Sequence, residues 1–271
     1  MKIEHFISMC HAPTEEQKKW YSENLDGQKT HFVNSGNLKD SNDEWVKKNV
    51  IFETDFDDNI ANLNPHMSEM TTLYLIWKNF LEDIPDDHYI QLSHYRRLLP
   101  VRELDYNMGA YVSEAVPMIF NLNDGGGDRR MNILTGTAVC HPKEVWLLME
   151  DAIGKTLTWR TSPMFQDWCG LPVMPAPRNL FAMKKPLLKE YLDWVFPKLL
   201  DEVEKKLPYD APEYQNKYQQ RAAGFVAERM FSWWIFSNRC LGKFNLQEMK
   251  PLFFENWKPF SDESEKTMEV I

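Results

Sequence analysis

The chain has 271 residues, 43% of them hydrophobic, and a formal charge of −9. Such a length suits one α/β domain with a helical extension, or two small domains sharing an interface. The acidic balance argues against a nucleic-acid-binding surface spread over the whole protein, and no apolar run is long enough to cross a bilayer.

Met1 to Cys10 lacks the basic start, apolar stretch and small-residue cleavage site of a signal peptide, so a cytoplasmic location is expected. Ile3 to Cys10 reads as a buried strand. Thr14 then caps a helix over Glu15 to Asn24, with acidic residues in its first turn. Short strands follow at Thr30 to Val33 and Val50 to Phe52, and an acidic loop runs from Glu53 to Asn59. Met67, Met70, Leu73, Tyr74 and Trp77 share one face at helical spacing, which predicts a helix over Pro65 to Leu81. Tyr89 to Leu92 is a strand with His94-Tyr95-Arg96-Arg97 at its carboxyl end. Asn121 to Arg130, with Gly125-Gly126-Gly127, reads as a flexible loop. Later elements are a helix over Lys143 to Ile153, a strand over Arg178 to Met183, and helices over Leu187 to Lys206 and Gln215 to Phe236; from Asp262 the tail is polar. The alternation of strand and helix predicts a mainly parallel sheet with helices on both faces. Its ligand would lie beyond the carboxyl ends of the strands, where His11 and His94 to Arg97 both fall.

The four cysteines contain no C-x-x-C pair. Cys10-His11 and Cys140-His141 are read as two strand ends carrying buried thiols rather than a split metal site. Asp55-Phe56-Asp57 is formally an Asp-x-Asp, and its carboxylates suit Mg²⁺ or Mn²⁺; the preferred reading of Asp55 and Asp57 is a solvated loop, so no metal ligands are assigned.

Three stretches resemble the bacterial capsular-polysaccharide and O-antigen glycosyltransferase-like family, long catalogued as a domain of unknown function. The first joins Asp58-Asn59-Ile60 and Asn64 to Glu69-Met70-Thr71-Thr72-Leu73-Tyr74-Leu75-Ile76-Trp77-Lys78-Asn79, and runs into His94-Tyr95-Arg96-Arg97. The second is Asn179-Leu180-Phe181-Ala182-Met183-Lys184-Lys185, with Tyr191 and Trp194 beyond, and the third is Arg221-Ala222-Ala223-Gly224-Phe225-Val226-Ala227-Glu228-Arg229. Met67, Leu75 and Leu98-Leu99 depart from the aromatics usual there, which bears on acceptor or sugar selectivity.

The resemblance implies a single Rossmann-like, GT-A-type mixed α/β sheet with a C-terminal helical extension. Residues 1–245 would form the glycosyltransferase domain, donor-binding over about 1–136 and acceptor-side over about 137–245, with 246–271 as a tail. It implies transfer from a nucleotide-sugar, UDP-type donor to a hydroxyl of a surface glycan or lipid-linked oligosaccharide. Phage-borne relatives suggest an alternative acceptor, 5-hydroxymethylcytosine in DNA, for which Lys184, Lys185, Lys189, Arg221 and Arg229 could form a local basic patch. A third reading is an inactive sugar-binding module. Where many transferases place a metal-binding Asp-x-Asp, the strand over Tyr89 to Leu92 carries Arg96 and Arg97, whose guanidiniums can bind diphosphate oxygens bidentately. His11, Asp58, Asn59, Glu69, His94, Tyr95 and Asn179 are further donor-binding candidates. For an inverting step the candidate base is Asp167, with Asp124 and Asp128 as competitors in the glycine loop, which could close over the donor. Glu228 and Arg229 are expected to form an internal ion pair.

Overall fold

A computed structural model describes residues 2–25, 28–105, 107–122, 127–154 and 162–254. The chain opens with β1 (Ile3–Met9), α1 (Glu15–Asn24), β2 (Lys29–Asn34), α2 (Glu44–Asn49) and β3 (Val50–Phe52). Thr14 starts α1 through a capping box: its Oγ1 accepts from Gln17 N at 3.2 Å while Gln17 Oε1 accepts from Thr14 N at 3.0 Å. Next come α3 (Asn64–Met67), α4 (Met70–Leu75), β4 (Tyr89–His94), β5 (Arg97–Leu98) and β6 (Met108–Ser113). Small strands β7 (Val116–Pro117), β8 (Ile119–Leu122) and β9 (Gly127–Arg130) lead to α5 (Ile133–Cys140), α6 (Lys143–Gly154) and α7 (Pro163–Gly170). The remainder is β10 (Val173–Met174), β11 (Phe181–Lys184), α8 (Lys185–Lys198), α9 (Ala222–Cys240), β12 (Asn245–Met249) and β13 (Leu252–Phe253).

The main sheet runs in the order β12-β6-β11-β4-β1-β2-β3, with β5 beside β4 and β13 beside β5. Only β11 runs against its neighbours along that path, so the sheet is mixed. The chain moves outward from β1 through β2 to β3, then returns to lay β4 on the other side of β1. The crevice beyond the carboxyl ends of β1 and β4 is therefore a topological switch point.

Strand alternation sets the two faces. Phe6, Ile90, Leu92, Ala110, Val112 and Phe181 point into one core with Leu73 of α4, Val145 of α6, Leu188 of α8 and Val226 of α9. Ile7 and Met9 point the other way, against Tyr21 of α1 and Val46 of α2. Helices thus cover both faces, as the strand–helix pattern predicts.

Several elements differ from the sequence reading. The helix expected over Pro65 to Leu81 stops at Ser68, whose φ of 53° and ψ of −130° end α3; α4 then passes into a π-helical turn over Ile76–Phe80. Pro197 lies within α8, and the helix beyond it continues as a π turn over Leu199–Val203; proline removes a backbone donor and disturbs the regular ladder. The helix expected from Gln215 begins as 3₁₀ turns and becomes α-helical only at Ala222. The strand expected from Arg178 starts at Phe181, because Arg178 and Asn179 have φ of 69° and 50°. Part of the expected Asn121 to Arg130 loop is a hairpin of β8 and β9; Asp124 lies outside the described residues. Residues 245–249 and 252–253, mostly assigned to the tail, add β12 and β13 to the sheet, while the polar stretch from Asp262 lies outside the described residues. Cys140 ends a helix rather than a strand, and Cys10 is exposed rather than buried. Among the described residues, no helix is long and apolar enough to cross a membrane.

Candidate active site

At the switch point, β4 ends at His94, and β5 turns straight back so that His94 pairs with Arg97. Tyr95 N donates to Ser8 O at 3.0 Å, which ties this turn to the end of β1. The rings of Tyr95 and His11 meet edge to face at 4.4 Å, and Tyr21 Oη donates to Tyr95 O. The Arg96 guanidinium lies 5.7 Å from the Tyr95 ring centroid. Three of the residues expected at the donor site, His94, Tyr95 and Arg96, therefore lie at one turn, with Arg97 beginning the return strand and His11, beyond the end of β1, packed on the Tyr95 ring.

Two segments from the second half of the chain close on this turn. The first is the loop before β11, where Ala176, Arg178 and Asn179 all have left-handed backbone. Its Asn179 Nδ2 donates to Glu69 Oε1 at 2.8 Å, and Arg178 N donates to Glu228 Oε1 at 2.5 Å. The second is the start of α9. Arg221, Gly224 and Glu228 recur at helical spacing, which sets them on one face. Arg221 Nε donates to Ser68 Oγ at 2.7 Å. A Cβ on Gly224 would stand 3.3 Å from Met67 O, so glycine allows α9 its close approach to the α3 backbone. Among the described residues, the non-glycine positions with positive φ are Ser68, Ala176, Arg178 and Asn179. All belong to segments bordering this crevice, and such backbone costs on the order of 1–3 kcal/mol per residue, a cost commonly found at functional sites.

The electrostatics follow from this convergence. Burial, with Arg96 and Arg178 as neighbours, pushes the Arg97 guanidinium down to about 10, still protonated at neutral pH. Burial first, then Arg97 and Arg221, drives the His94 imidazole down to about 3, so it is neutral. Burial pushes the Tyr95 phenol up to about 12. The carboxylates acting on these groups are Glu69 and Glu228. His94 Nε2 is 3.9 Å from Glu69 Oε1, outside hydrogen-bond reach. His94 Nε2, Arg97 Nε and Asn179 Oδ1 are buried with no hydrogen-bond partner among the described residues. Buried polar groups are normally paired, so three such atoms in one crevice mark it as built for a polar ligand or ordered water.

The other candidates are placed elsewhere. Asp58 accepts from Tyr74 Oη at 2.8 Å, and its carbonyl accepts from Asn79 Nδ2 at 2.8 Å; Asn59 bonds its own turn through Phe56 O at 2.6 Å. The Asp58-Asn59 motif and the Tyr74 to Asn79 motif thus lock loop to helix. Asp55 pairs with Lys39, and no three His, Cys, Asp or Glu side chains among the described residues could hold a metal together. Asp167 is exposed on α7, whose buried Phe165 and Trp168 pack in the core near α9; no hydrogen bond or ion pair joins it to the guanidiniums. The Asp128 side chain lies outside the described atoms. Arg229 is buried, donating to Thr137 Oγ1 at 2.9 Å and Phe225 O at 2.9 Å, and it forms the expected ion pair with Glu228 at a long 3.9 Å. Of the five residues that could form a basic patch, Lys184, Lys189 and Arg221 reach the surface at least in part. Arg229 and Lys185 are buried, Lys185 donating to Ile84 O at 2.5 Å, and Lys189 pairs with Asp193 at 2.8 Å. The sequence reading missed Arg178, Arg221 and Glu228 as partners of the arginine turn, giving Arg221 the third family-like stretch and the possible patch. The spacing of Arg221, Gly224 and Glu228 was a usable signal for one helical face.

No curated protein matches the chain. Among solved structures, the apo structure of WbbM, described as a bifunctional glycosyltransferase, superposes with a TM-score of 0.70 at 18% identity, covering 97% of this chain. The chain spans about half of that protein, 48% of its length, and at this identity the likeness establishes a shared fold. A family profile described as "Domain of unknown function (DUF4422)" matches residues 18–239. The match takes in the Asp58 to Asn79 stretch, the arginine turn, the left-handed loop and the start of α9, and the chain belongs to the DUF4422 family.

Proposed function

We propose that the protein is a glycosyltransferase that takes a sugar from a nucleoside-diphosphate donor, of the UDP type, and attaches it to a hydroxyl of a surface glycan or lipid-linked oligosaccharide. The observation that carries this reading is the convergence of Arg96, Arg97, Arg178 and Arg221 at the switch point of the sheet. A diphosphate leaving from a sugar develops negative charge, and fixed guanidiniums in a partly buried crevice stabilise that charge with little reorganisation. Neutral His94 carries a buried, unpartnered Nε2 suited to a donor hydroxyl or phosphate oxygen, and Asn179 a buried, unpartnered Oδ1 that can accept from a donor hydroxyl. Glu69 orients Asn179, whose side-chain amide donates to it, and lies 3.9 Å from His94. Any Mg²⁺ or Mn²⁺ would add charge at the phosphates.

A glycan acceptor is preferred to DNA because, of the five residues that could have met a duplex, Lys185 and Arg229 are buried and Lys189 pairs with Asp193. The test is release of nucleoside diphosphate from a panel of UDP-, GDP- and CDP-sugars, with and without oligosaccharide acceptors. At least one donor should be turned over by the wild type. Binding without release would favour an inactive sugar-binding module. No binding and no release across the panel would remove the proposal.

A further inference from the structure

The edge strand β13 lies outside the residues matched by the family profile. It pairs antiparallel with β5, placing Phe253 directly across from Arg97. The strand is anchored beyond that pair: Phe254 N donates to Arg96 O at 3.1 Å, and the Phe254 ring lies 5.7 Å from that of Trp20. Phe253 is nevertheless 45% exposed, the opposite of what a phenylalanine gains by folding. Two guanidiniums meet its ring. The Arg97 Cζ is 5.9 Å from the ring centroid and the Arg178 Cζ is 5.7 Å from it. Arg97 comes from the β4–β5 turn and Arg178 from the left-handed loop, so no shared backbone element sets the spacing between these like charges. An aromatic ring attracts both cations and offsets their repulsion.

We infer that Phe253 is a positioning residue: its ring holds the Arg97 and Arg178 guanidiniums side by side so that both reach the donor's diphosphate, an inference that rests on the arginine crevice proposed above. Arg178 thereby becomes a phosphate-binding residue together with Arg97. The alternative is that β13 only covers the edge of β5, in which case any apolar side chain at position 253 would serve.

Calorimetric titration of the full chain with UDP, GDP, CDP and inorganic pyrophosphate separates the two. The variants are Phe253→Ala, Phe253→Leu and Phe253→Tyr, with melting temperatures taken on the same preparations. Loss of both ring contacts should weaken the tightest-binding of these probes about five- to thirty-fold in the alanine and leucine variants. Tyrosine, which keeps a π face, should bind within about twofold of wild type. A leucine variant that binds as wild type overturns the inference, since apolar cover alone would then suffice. Wild-type binding in the alanine variant overturns it too, while leaving the arginine crevice standing. If wild type binds none of the four probes, the crevice proposal and this inference fall together. Should the alanine variant not fold, the comparison of leucine with tyrosine decides.

Discussion

Replacing Arg97 by alanine should move binding and stability in opposite directions. Burial first, and then the neighbouring Arg96 and Arg178, brings the Arg97 guanidinium to about 10 from its ordinary value of 12.5. At about 1.4 kcal/mol per tenfold change in proton affinity, the charged side chain is disfavoured in the empty crevice by roughly 3 kcal/mol. Alanine removes that penalty and forfeits the packing against Phe253, leaving the unliganded protein no less stable than wild type, or slightly more so. Loss of a charge-assisted contact to phosphate costs about 2–5 kcal/mol, a factor of about 30 to several thousand in affinity. Lysine should recover only part of this, since it offers a point charge and no planar fork. The assay is differential scanning calorimetry with nucleotide titration and initial rates on the same samples. An Arg97→Ala protein that melts well below wild type and turns over normally per folded molecule would refute the reasoning and assign Arg97 a structural role.

Other outcomes follow from the same geometry. Glu69→Gln should lower turnover at least about tenfold by loosening Asn179, whereas Asp167→Asn should stay within about twofold; the reverse order would restore Asp167 as the catalytic carboxylate. His5, His94 and His141 are held neutral by burial, at about 4, 3 and 3, so their stabilisation is complete above their unfolded value near 6.5 and is lost as pH falls below it. Glu53 is raised by burial to about 7 and acts oppositely, its stabilisation being complete below 4.5 and lost as pH rises through about 7. Three groups against one predict a melting temperature that climbs from pH 4.5 to 6.5, and more steeply in Glu53→Gln; a flat or falling profile would contradict this. Gly224→Ala should cost about 1–3 kcal/mol and weaken nucleotide binding, because its Cβ would press on the α3 backbone at 3.3 Å and shift Arg221 and Glu228 with it. Unchanged melting and binding in that variant would mean that α9 adjusts freely.

Much of the N-terminal half was legible because its signals are local. The buried strand β1, the Thr14 cap of α1 and the strand over Val50 to Phe52 depend on residues close in sequence. The arginine turn could be placed at a strand end for the same reason. What stayed hidden is set by distant partners. Ser68 carries no strong local stop signal, yet α3 ends there where Arg221 bonds its hydroxyl. Arg178 and Asn179 lie in a stretch that reads as strand, but they adopt left-handed backbone where Glu228 accepts from the Arg178 amide and Glu69 from the Asn179 side chain. The strand β12 is short and half exposed, and it exists only by pairing with β6, more than a hundred residues away in sequence. Asp58 and Asn59, expected among the donor contacts, also bond Tyr74, Asn79 and Phe56, a lock between loop and helix that the motif alone does not reveal.

The most direct measurement is a crystal structure of the full chain with UDP, GDP or CDP, whichever binds most tightly in titration. The account predicts diphosphate density beyond the ends of β1 and β4, with its oxygens within hydrogen-bond distance of Arg97 and Arg178 and next to Arg96 and Arg221. Density against Asp55 and Asp57 instead, with the four guanidiniums untouched, would contradict it.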